Sequence, residues 1–182
     1  FDLDSINKAP ASFNQEKLIW LNQSYIKSTE ISELIQHLQW HLEQRSLDVS
    51  SGPRIEDVVD SLRDRSKTLV EMADGCVMFY QDFETFNEKQ ASKQFSGKSQ
   101  PIIAALHSKL SALNAWTAET IHGAIQDVCE QEGVGFGKVG QPFRLALSGD
   151  GKAGGIDICA ELVGKHRTLA RLQMASDHIK SL

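Results

Sequence analysis

The spacing of the apolar residues constrains this chain most, because it follows a helical period along nearly the whole sequence. One stretch shows the pattern clearly, with apolar residues at Ile31, Leu34, Ile35, Leu38 and Leu42. Positions i, i+3, i+4 and i+7 share one face of an α-helix, so each such stretch predicts an amphipathic helix. No run alternates with the period of two that is typical of a strand, and no heptad pattern persists. We therefore expect an all-α fold, a compact helical bundle or cage of short helices in two groups.

Capping residues and polar segments place the boundaries of these helices. Ser12 and Asn14 are candidate N-caps of the first helix, because their side chains accept hydrogen bonds from free backbone N–H groups. The segment 87–99 is polar and rich in Lys and Gln, so we predict that it connects the two helical groups. This prediction gives a first helical subdomain of residues 1–90 and a second of residues 91–182.

Composition excludes several classes of protein. With 41% hydrophobic and 24% charged residues, the chain has the balance of a soluble globular protein. It contains no apolar run near the ~20 residues that span a bilayer, and its start lacks the pattern of a secretion signal. Three cysteines without CxxC spacing indicate reduced thiols that pack as small apolar groups. We expect a cytoplasmic monomer with no membrane partner; the first residue, Phe1, is typical of a fragment or a processed product.

Charge is distributed unevenly along the sequence. Residues 1–132 carry 12 Lys and Arg against 20 Asp and Glu, whereas residues 133–182 carry 7 against 4. Phosphate binding needs a local group of cations rather than a basic protein, so the basic end is compatible with nucleic-acid binding. A solvated basic tail explains the same distribution equally well.

No catalytic or metal-binding signature occurs in the sequence. His37 and His41 are one helical turn apart, but Glu43 lies on another face, so a polar helix surface is the favoured interpretation. The glycine-rich segment 133–138 resembles a phosphate loop only superficially, because Lys138 is followed by valine instead of Ser or Thr. A helix end followed by a turn is favoured there. We expect neither a metal nor a cofactor in this chain.

A basic and glycine-rich block near the C-terminus remains to be explained. Its residues are Lys138, Gln141, Pro142, Phe143, Arg144, the loop 148–155, Lys165, His166, Arg167 and Arg171. Arginine hydrogen-bonds base edges and stacks on base faces, and a glycine loop lets the backbone approach unstacked bases. Single-stranded RNA loops are recognised in this way, but an ordinary helical surface fits the same residues.

Two motifs in this block carry a resemblance to a known family. KVGQPFRLALSG at 138–149 and GIDICAELVGKHRTLARL at 155–172 resemble the C-terminus of bacterial glutamyl-tRNA synthetases. Residues 1–27 resemble the segment that follows the catalytic domain in that family, and RSKTL at 65–69 and WTAE at 116–119 resemble its middle region. The resemblance covers essentially the whole chain.

The resemblance implies a function in protein synthesis. Enzymes of this family activate glutamate with ATP and transfer it to tRNA for glutamate, and their C-terminal helical domains bind the anticodon. The chain lacks the HIGH and KMSK signatures of the catalytic domain, so it is not expected to catalyse the reaction alone. Glutamate and ATP with magnesium are expected only for the full-length enzyme, and tRNA for glutamate is the expected partner of this chain.

The resemblance also implies which residues contact the anticodon. Arg144 matches the position that contacts the first anticodon base, and Arg65 matches the position that reads the third base, with a preference for cytosine over guanine. The loop before Ile156 matches residues that pack on the bases, but Gly154 and its preceding alanine replace the usual Thr-Pro. The predicted anticodon-binding residues are Arg65, Gln141, Arg144, Gly154 and Ile156.

A second hypothesis comes from another class of function. The chain could be a helical protein-interaction or regulatory domain that kept the fold of the family without its RNA binding. The acidic character of residues 1–132 is compatible with this alternative.

Overall fold

A computed structural model describes residues 14–182, and all regular secondary structure within this range is helical. The helices are α1 (Gln15–Ser28), α2 (Ile31–Glu43), α3 (Ile55–Arg63), α4 (Leu69–Tyr80), α5 (Glu88–Gln94), α6 (Gln100–Ser111), α7 (Ala118–Glu132), α8 (Phe136–Ser148), α9 (Ile156–Val163) and α10 (Lys165–Lys180). The predicted all-α fold is confirmed. Across the same range, no helix has both the length and the apolar character that crossing a membrane requires.

The start of α1 follows the predicted capping chemistry in part. The Asn14 side chain accepts a hydrogen bond from the Lys17 N–H at 3.0 Å, as expected of an N-cap. The other candidate, Ser12, and the rest of residues 1–13 lie outside the described range. At the opposite end of α1, Arg63 donates hydrogen bonds to the Lys27 and Thr29 carbonyls at 2.6 and 2.9 Å. These bonds attach α1 to the end of α3.

The first group of helices consists of α2, α3 and α4, which pack against one another, with α1 at its edge. Leu38, Val58 and Met72 come from the three helices and are fully buried between them. Burying such side chains stabilises the fold by roughly 1.5–3 kcal/mol each. The break that separates α3 from α4 falls at residues 64–68, where the apolar stripe is interrupted in the sequence.

The second group is built on α10, which packs against α6, α8 and α9, while α7 covers α6, α8 and α9. Its core contains the fully buried side chains of Leu106, Ile125, Phe143 and Leu172. Helix α9 also packs against α3 and α4, so the two groups share one apolar core. The division at residues 90 and 91 stays a prediction, and this position lies inside α5.

The segment 87–99, which we predicted to connect the two helical groups, contains the short helix α5. Asn87 caps this helix by accepting a hydrogen bond from the Gln90 N–H at 3.1 Å. Ala91 and Phe95 are four residues apart and both are buried. Two apolar residues in a polar segment are too few for a clear period, which is why the sequence pattern missed the helix.

The glycine-rich segment 133–138 contains the predicted helix end and turn, and it also contains the start of the next helix. Gly133 ends α7 in the left-handed conformation, as a helix stop should, with φ of 63°. Helix α8 then begins at Phe136 and continues through Pro142. One face of α8 buries Val139, Phe143 and Leu147. Burial of three such side chains, at roughly 1.5–3 kcal/mol each, exceeds the roughly 3 kcal/mol that an interior proline costs.

We expect Gly149→Ala to destabilise the protein by roughly 2–5 kcal/mol, because the new Cβ meets two obstacles. Gly149 has a φ of 76°, and a Cβ there would lie 3.0 Å from ring atoms of Phe83. Gly133→Ala is the matched control, because its φ is 63° but no heavy atom lies within 4 Å of the added Cβ. Urea unfolding of both variants measures the difference, and equal losses of stability would contradict this account.

Candidate nucleic-acid interface

A cleft of about 730 Å³ lies between the two groups of helices. One wall comes from α3, α4 and the turn between them, and includes Arg65 and Met78. The opposite wall comes from the end of α8 and the loop that follows it, and includes Gly149 and Gly154. Phe83 lies between the two walls, in the segment that leaves α4. The cleft is therefore formed by parts that are distant in the sequence.

The two arginines singled out in the sequence meet at Gly154 in this region. A Cβ placed on Gly154 would lie 3.5 Å from Arg65 Nε, so the Arg65 side chain packs directly against this glycine. On α8, Arg144 Nη2 donates a long hydrogen bond of 3.5 Å to the Gly154 carbonyl. Glycine at this position leaves room for both side chains beside the backbone. The structure thus brings Arg65, Arg144 and Gly154 together.

Arg65 and Arg144 differ from the other five arginines of the chain in their hydrogen-bond and carboxylate partners. Four of these five donate hydrogen bonds of 2.6–2.8 Å to backbone carbonyls, shorter than the 3.5 Å bond of Arg144: Arg45, Arg63, Arg167 and Arg171. Arg54 is paired with Glu56 at 3.6 Å. Within residues 14–182, neither Arg65 nor Arg144 has a carboxylate within 4.0 Å. Arg144 Nε is also buried without a hydrogen-bond partner in this range. Their charges remain unneutralised, as a site for an anionic or polar ligand requires.

A buried thiol below this site provides a second indication that the two guanidinium groups are close to each other. Cys159 is 1% exposed, and its Sγ would lie 3.7 Å from a Cβ on Gly154. Burial raises the pKa of the Cys159 thiol, and the charges of Arg65 and Arg144 both act in the opposite direction. The thiol is therefore a packing group, as predicted. No three His, Cys, Asp or Glu side chains in the described part of the chain are placed to hold a metal.

The other two predicted residues, Gln141 and Ile156, differ in their exposure to solvent. Gln141 is exposed on α8, one turn before Arg144. Ile156 is only 2% exposed, and it packs against Gly140, where an added Cβ would lie 3.4 Å from Ile156 Cδ1. The structure does not bring Ile156 to the surface, because the first turn of α9 directs it into the core. It offers no apolar surface to a base in this conformation.

Two exposed apolar side chains near the site were missed in the sequence. Ile158 is 45% exposed on α9, on the side away from the buried Ile156. Phe136 is 42% exposed at the start of α8, and its ring is stacked on His122 with 5.7 Å between the ring centroids. A helical wheel of α9 places Ile158 away from the buried face, so its exposure could have been predicted from the sequence. The exposure of Phe136 could be predicted only from the correct start of α8, and the surrounding glycines obscured that start in the sequence.

Basic residues at the start of α10 do not belong to this site, although the sequence grouped them with it. Arg171 is 5% exposed and donates hydrogen bonds to internal carbonyls. Arg167 binds Asp82 and the Phe79 carbonyl, at 2.7 and 2.6 Å. Their hydrogen bonds attach α10 to the end of α4 and to Asp82, so the sequence alone overestimated the basic surface.

Comparison with known proteins identifies the family. The family model described as anticodon binding domain matches residues 33–176, and the chain belongs to this family of anticodon-binding domains. Its relatives include glutamate–tRNA ligases of Ruthia magnifica subsp. Calyptogena magnifica and Vesicomyosocius okutanii subsp. Calyptogena okutanii (strain HA). Each is 53% identical over 177 residues, which is 97% of this chain and 38% of the relative. The chain corresponds to the C-terminal, non-catalytic region of that ligase.

Solved structures agree with this assignment. A glutamate tRNA ligase from Elizabethkingia meningosepticum CCUG26117, solved in complex with its amino acid, superposes with a TM-score of 0.80 at 27% identity. The match covers 98% of this chain and 35% of that one. The glutamate-tRNA synthetase from Elizabethkingia anophelis gives a TM-score of 0.75 at 27% identity, over 97% and 34% of the two chains. The family resemblance seen in the sequence is confirmed.

Proposed function

We propose that the chain binds the anticodon loop of tRNA for glutamate at the face where Arg65 and Arg144 meet. The observation that carries this proposal is the convergence of two guanidinium groups on Gly154, with no carboxylate partner within residues 14–182. Unstacked bases of an RNA loop present acceptors on their edges and faces for stacking, and arginine suits both. Membership of the anticodon-binding domain family supports the same ligand.

Each residue receives a role in this proposal. Arg144 contacts the first anticodon base, and Arg65 donates its forked N–H groups to the O2 and N3 acceptors of a cytosine at the third position. Gly154 allows the backbone to come close to the bases, and Gln141 adds a donor and an acceptor one turn from Arg144. Ile158 supplies the exposed apolar contact first assigned to Ile156.

The activity of the whole enzyme is part of the same proposal. We expect the protein that contains this region to attach glutamate to its tRNA in two steps, with ATP and magnesium bound by its catalytic domain. The chain spans about 38% of the length of its ligase relatives, so this chemistry belongs to the remaining part. We further propose that the protein is a cytoplasmic monomer.

A protein-interaction role is the second candidate, and a specific feature of α1 favours it. Leu18, Leu21 and Tyr25 lie on one face of α1, at spacings of three and four residues, and all three are exposed. An apolar stripe on an amphipathic helix is typical of a surface that packs against another protein segment. A protein-binding face on α1 is compatible with RNA binding at the cleft. Protein interaction would be the main function only if the chain does not bind RNA.

Titration of the full chain with anticodon stem-loops tests the proposal. We expect saturable binding of the glutamate stem-loop that weakens as salt rises, because cationic side chains displace condensed counterions. A stem-loop with an unrelated anticodon is the control, and it should bind about 10-fold more weakly or worse, since each wrong base contact costs roughly 1–3 kcal/mol. No binding at about 50 mM salt would support the protein-interaction alternative, and equal binding of both stem-loops would contradict anticodon recognition.

A further inference from the structure

The guanidinium group of Arg171 joins the ends of two helices that belong to different groups. Its Nη1 donates to the Leu147 carbonyl at 2.6 Å, in the last turn of α8. Its Nη2 donates to the Met78 and Gln81 carbonyls at 2.8 and 3.0 Å, at the end of α4. Carbonyls in the last turn of a helix lack partners within the helix and carry partial negative charge. Arg171 therefore caps α4 and α8 at the same time.

One carboxylate strengthens this connection from the side of α4. Asp82 Oδ1 accepts hydrogen bonds from Arg171 Nη2 at 3.0 Å and from Arg167 Nη2 at 2.7 Å. Arg167 lies one turn before Arg171 on α10 and also donates to the Phe79 carbonyl. Partial burial acts to raise the pKa of Asp82, but the hydrogen bonds and charges of the two arginines outweigh it and hold this pKa below its ordinary value. The carboxylate thus stays ionised at neutral pH.

Aromatic packing fixes the same junction. The Arg171 guanidinium lies over the Phe83 ring, 5.1 Å from its centroid. Atoms of the Phe83 ring also lie so close to Gly149 that a Cβ added to this glycine would be 3.0 Å from them. The Asn87 N–H donates to the Gly149 carbonyl at 2.8 Å. The segment after α4 is therefore attached to the end of α8 by ring packing and by a backbone hydrogen bond.

Several residues of this junction, Met78, Asp82, Phe83 and Gly149, line the same cleft as Arg65. Arg65 is in the turn that precedes α4, and Arg171 holds the other end of that helix. Arg144 is on α8, one turn before the Leu147 carbonyl that Arg171 also binds. A rigid helix transmits the position of one end to the other. Arg171 therefore helps to set the orientation of α4 relative to α8, together with Arg167, Phe83 and the Asn87–Gly149 hydrogen bond.

We propose that Arg171 is a positioning residue for anticodon reading, which holds α4 and α8 so that Arg65 and Arg144 meet at Gly154. This inference rests on the proposed function and assigns Arg171 no contact with RNA. A lysine at this position keeps the charge but has one donor centre, so it cannot reach three carbonyls and Asp82 together. Arg171→Lys consequently separates the geometry of the junction from its charge.

The experiment measures the dissociation constant for the stem-loop with guanine at the third anticodon base divided by that for the stem-loop with cytosine. We expect Arg171→Lys to lower this ratio by about 5-fold or more, in the range of coupling through a packed network. The double variant Arg65→Gln/Arg171→Lys should show the ratio of Arg65→Gln alone, because Arg171 acts through the placement of Arg65. Amide hydrogen exchange of Asn87 should become faster in Arg171→Lys, as its bond to Gly149 loosens.

Arg45→Lys is the matched control for loss of stability. Arg45 also binds a carboxylate, Asp74, and two carbonyls, those of His41 and Val70, but it joins only α2 and α4 within the first group. Its substitution should destabilise the protein without changing the ratio for the two stem-loops. An unchanged ratio in Arg171→Lys, or additive effects in the double variant, would overturn the inference while wild-type binding still supports the proposed function. Failure of the wild-type chain to bind either stem-loop would overturn the proposed function itself.

Discussion

Arg144→Ala should weaken binding of the glutamate anticodon stem-loop by about 10- to 100-fold, which corresponds to one lost arginine–base contact. The Arg144 side chain contributes little to the stability of the folded protein. Within residues 14–182, its one hydrogen bond to protein is the 3.5 Å contact with the Gly154 carbonyl. Its Nε is buried without a partner in the same range. Removing the side chain should therefore leave the free energy of unfolding nearly unchanged. Fluorescence titration and urea unfolding of the same variant separate binding from stability.

Arg54→Ala is the control for the change in net charge. Arg54 is exposed, is paired with Glu56 at 3.6 Å and does not line the cleft. A general loss of positive charge would weaken binding in both variants to the same extent and would reduce the salt dependence equally. That result would refute a base contact by Arg144. Weaker binding in Arg144→Ala alone supports it.

Arg65→Gln should reduce the preference for cytosine over guanine at the third anticodon base by about 10-fold. Arginine only donates, and its fork matches the two acceptors of the cytosine edge, whereas glutamine has both a donor and an acceptor. Glutamine can therefore pair with the amino group of guanine as well. Arg65 has no carboxylate partner within residues 14–182, so the substitution breaks no ion pair there. Competition between the two stem-loops measures the ratio directly.

Arg54→Gln controls for the same chemical change away from the site. It should leave the ratio for the two stem-loops as it is in the wild-type chain. If Arg65→Gln lowers the affinity for both stem-loops equally, Arg65 binds phosphate instead of reading a base. If discrimination in Arg65→Gln remains at the wild-type value, Arg65 is not a source of specificity, whether it contacts a base or a phosphate.

The helical period predicted most of the fold because the buried faces of the long helices are regular. Helix α2 covers the apolar stretch from Ile31 to Leu42, and α7 ended at Gly133 as expected. The two misses have one physical cause, which is that tertiary burial overrode local preference. Helix α5 is held by two buried apolar residues, and α8 forms through two glycines and a proline because its apolar face is buried.

The site was predictable only where the sequence carried a family motif. Arg65 and Arg144 were identified from motifs, but their meeting at Gly154 depends on packing of α9 against both groups, which no local pattern records. The burial of Ile156 and the exposure of Ile158 follow from the register of α9. The basic block was overestimated because charge alone does not show that Arg171 is enclosed among carbonyls.

Helix α9 contributes side chains to the interior of both halves of the molecule. A chain divided between residues 90 and 91 would therefore expose apolar surface on each part instead of releasing two independent modules. Recombination between related synthetases would have to exchange α2 to α10 as one inherited unit, and Arg65 and Arg144, which we propose contact the anticodon, would be inherited together.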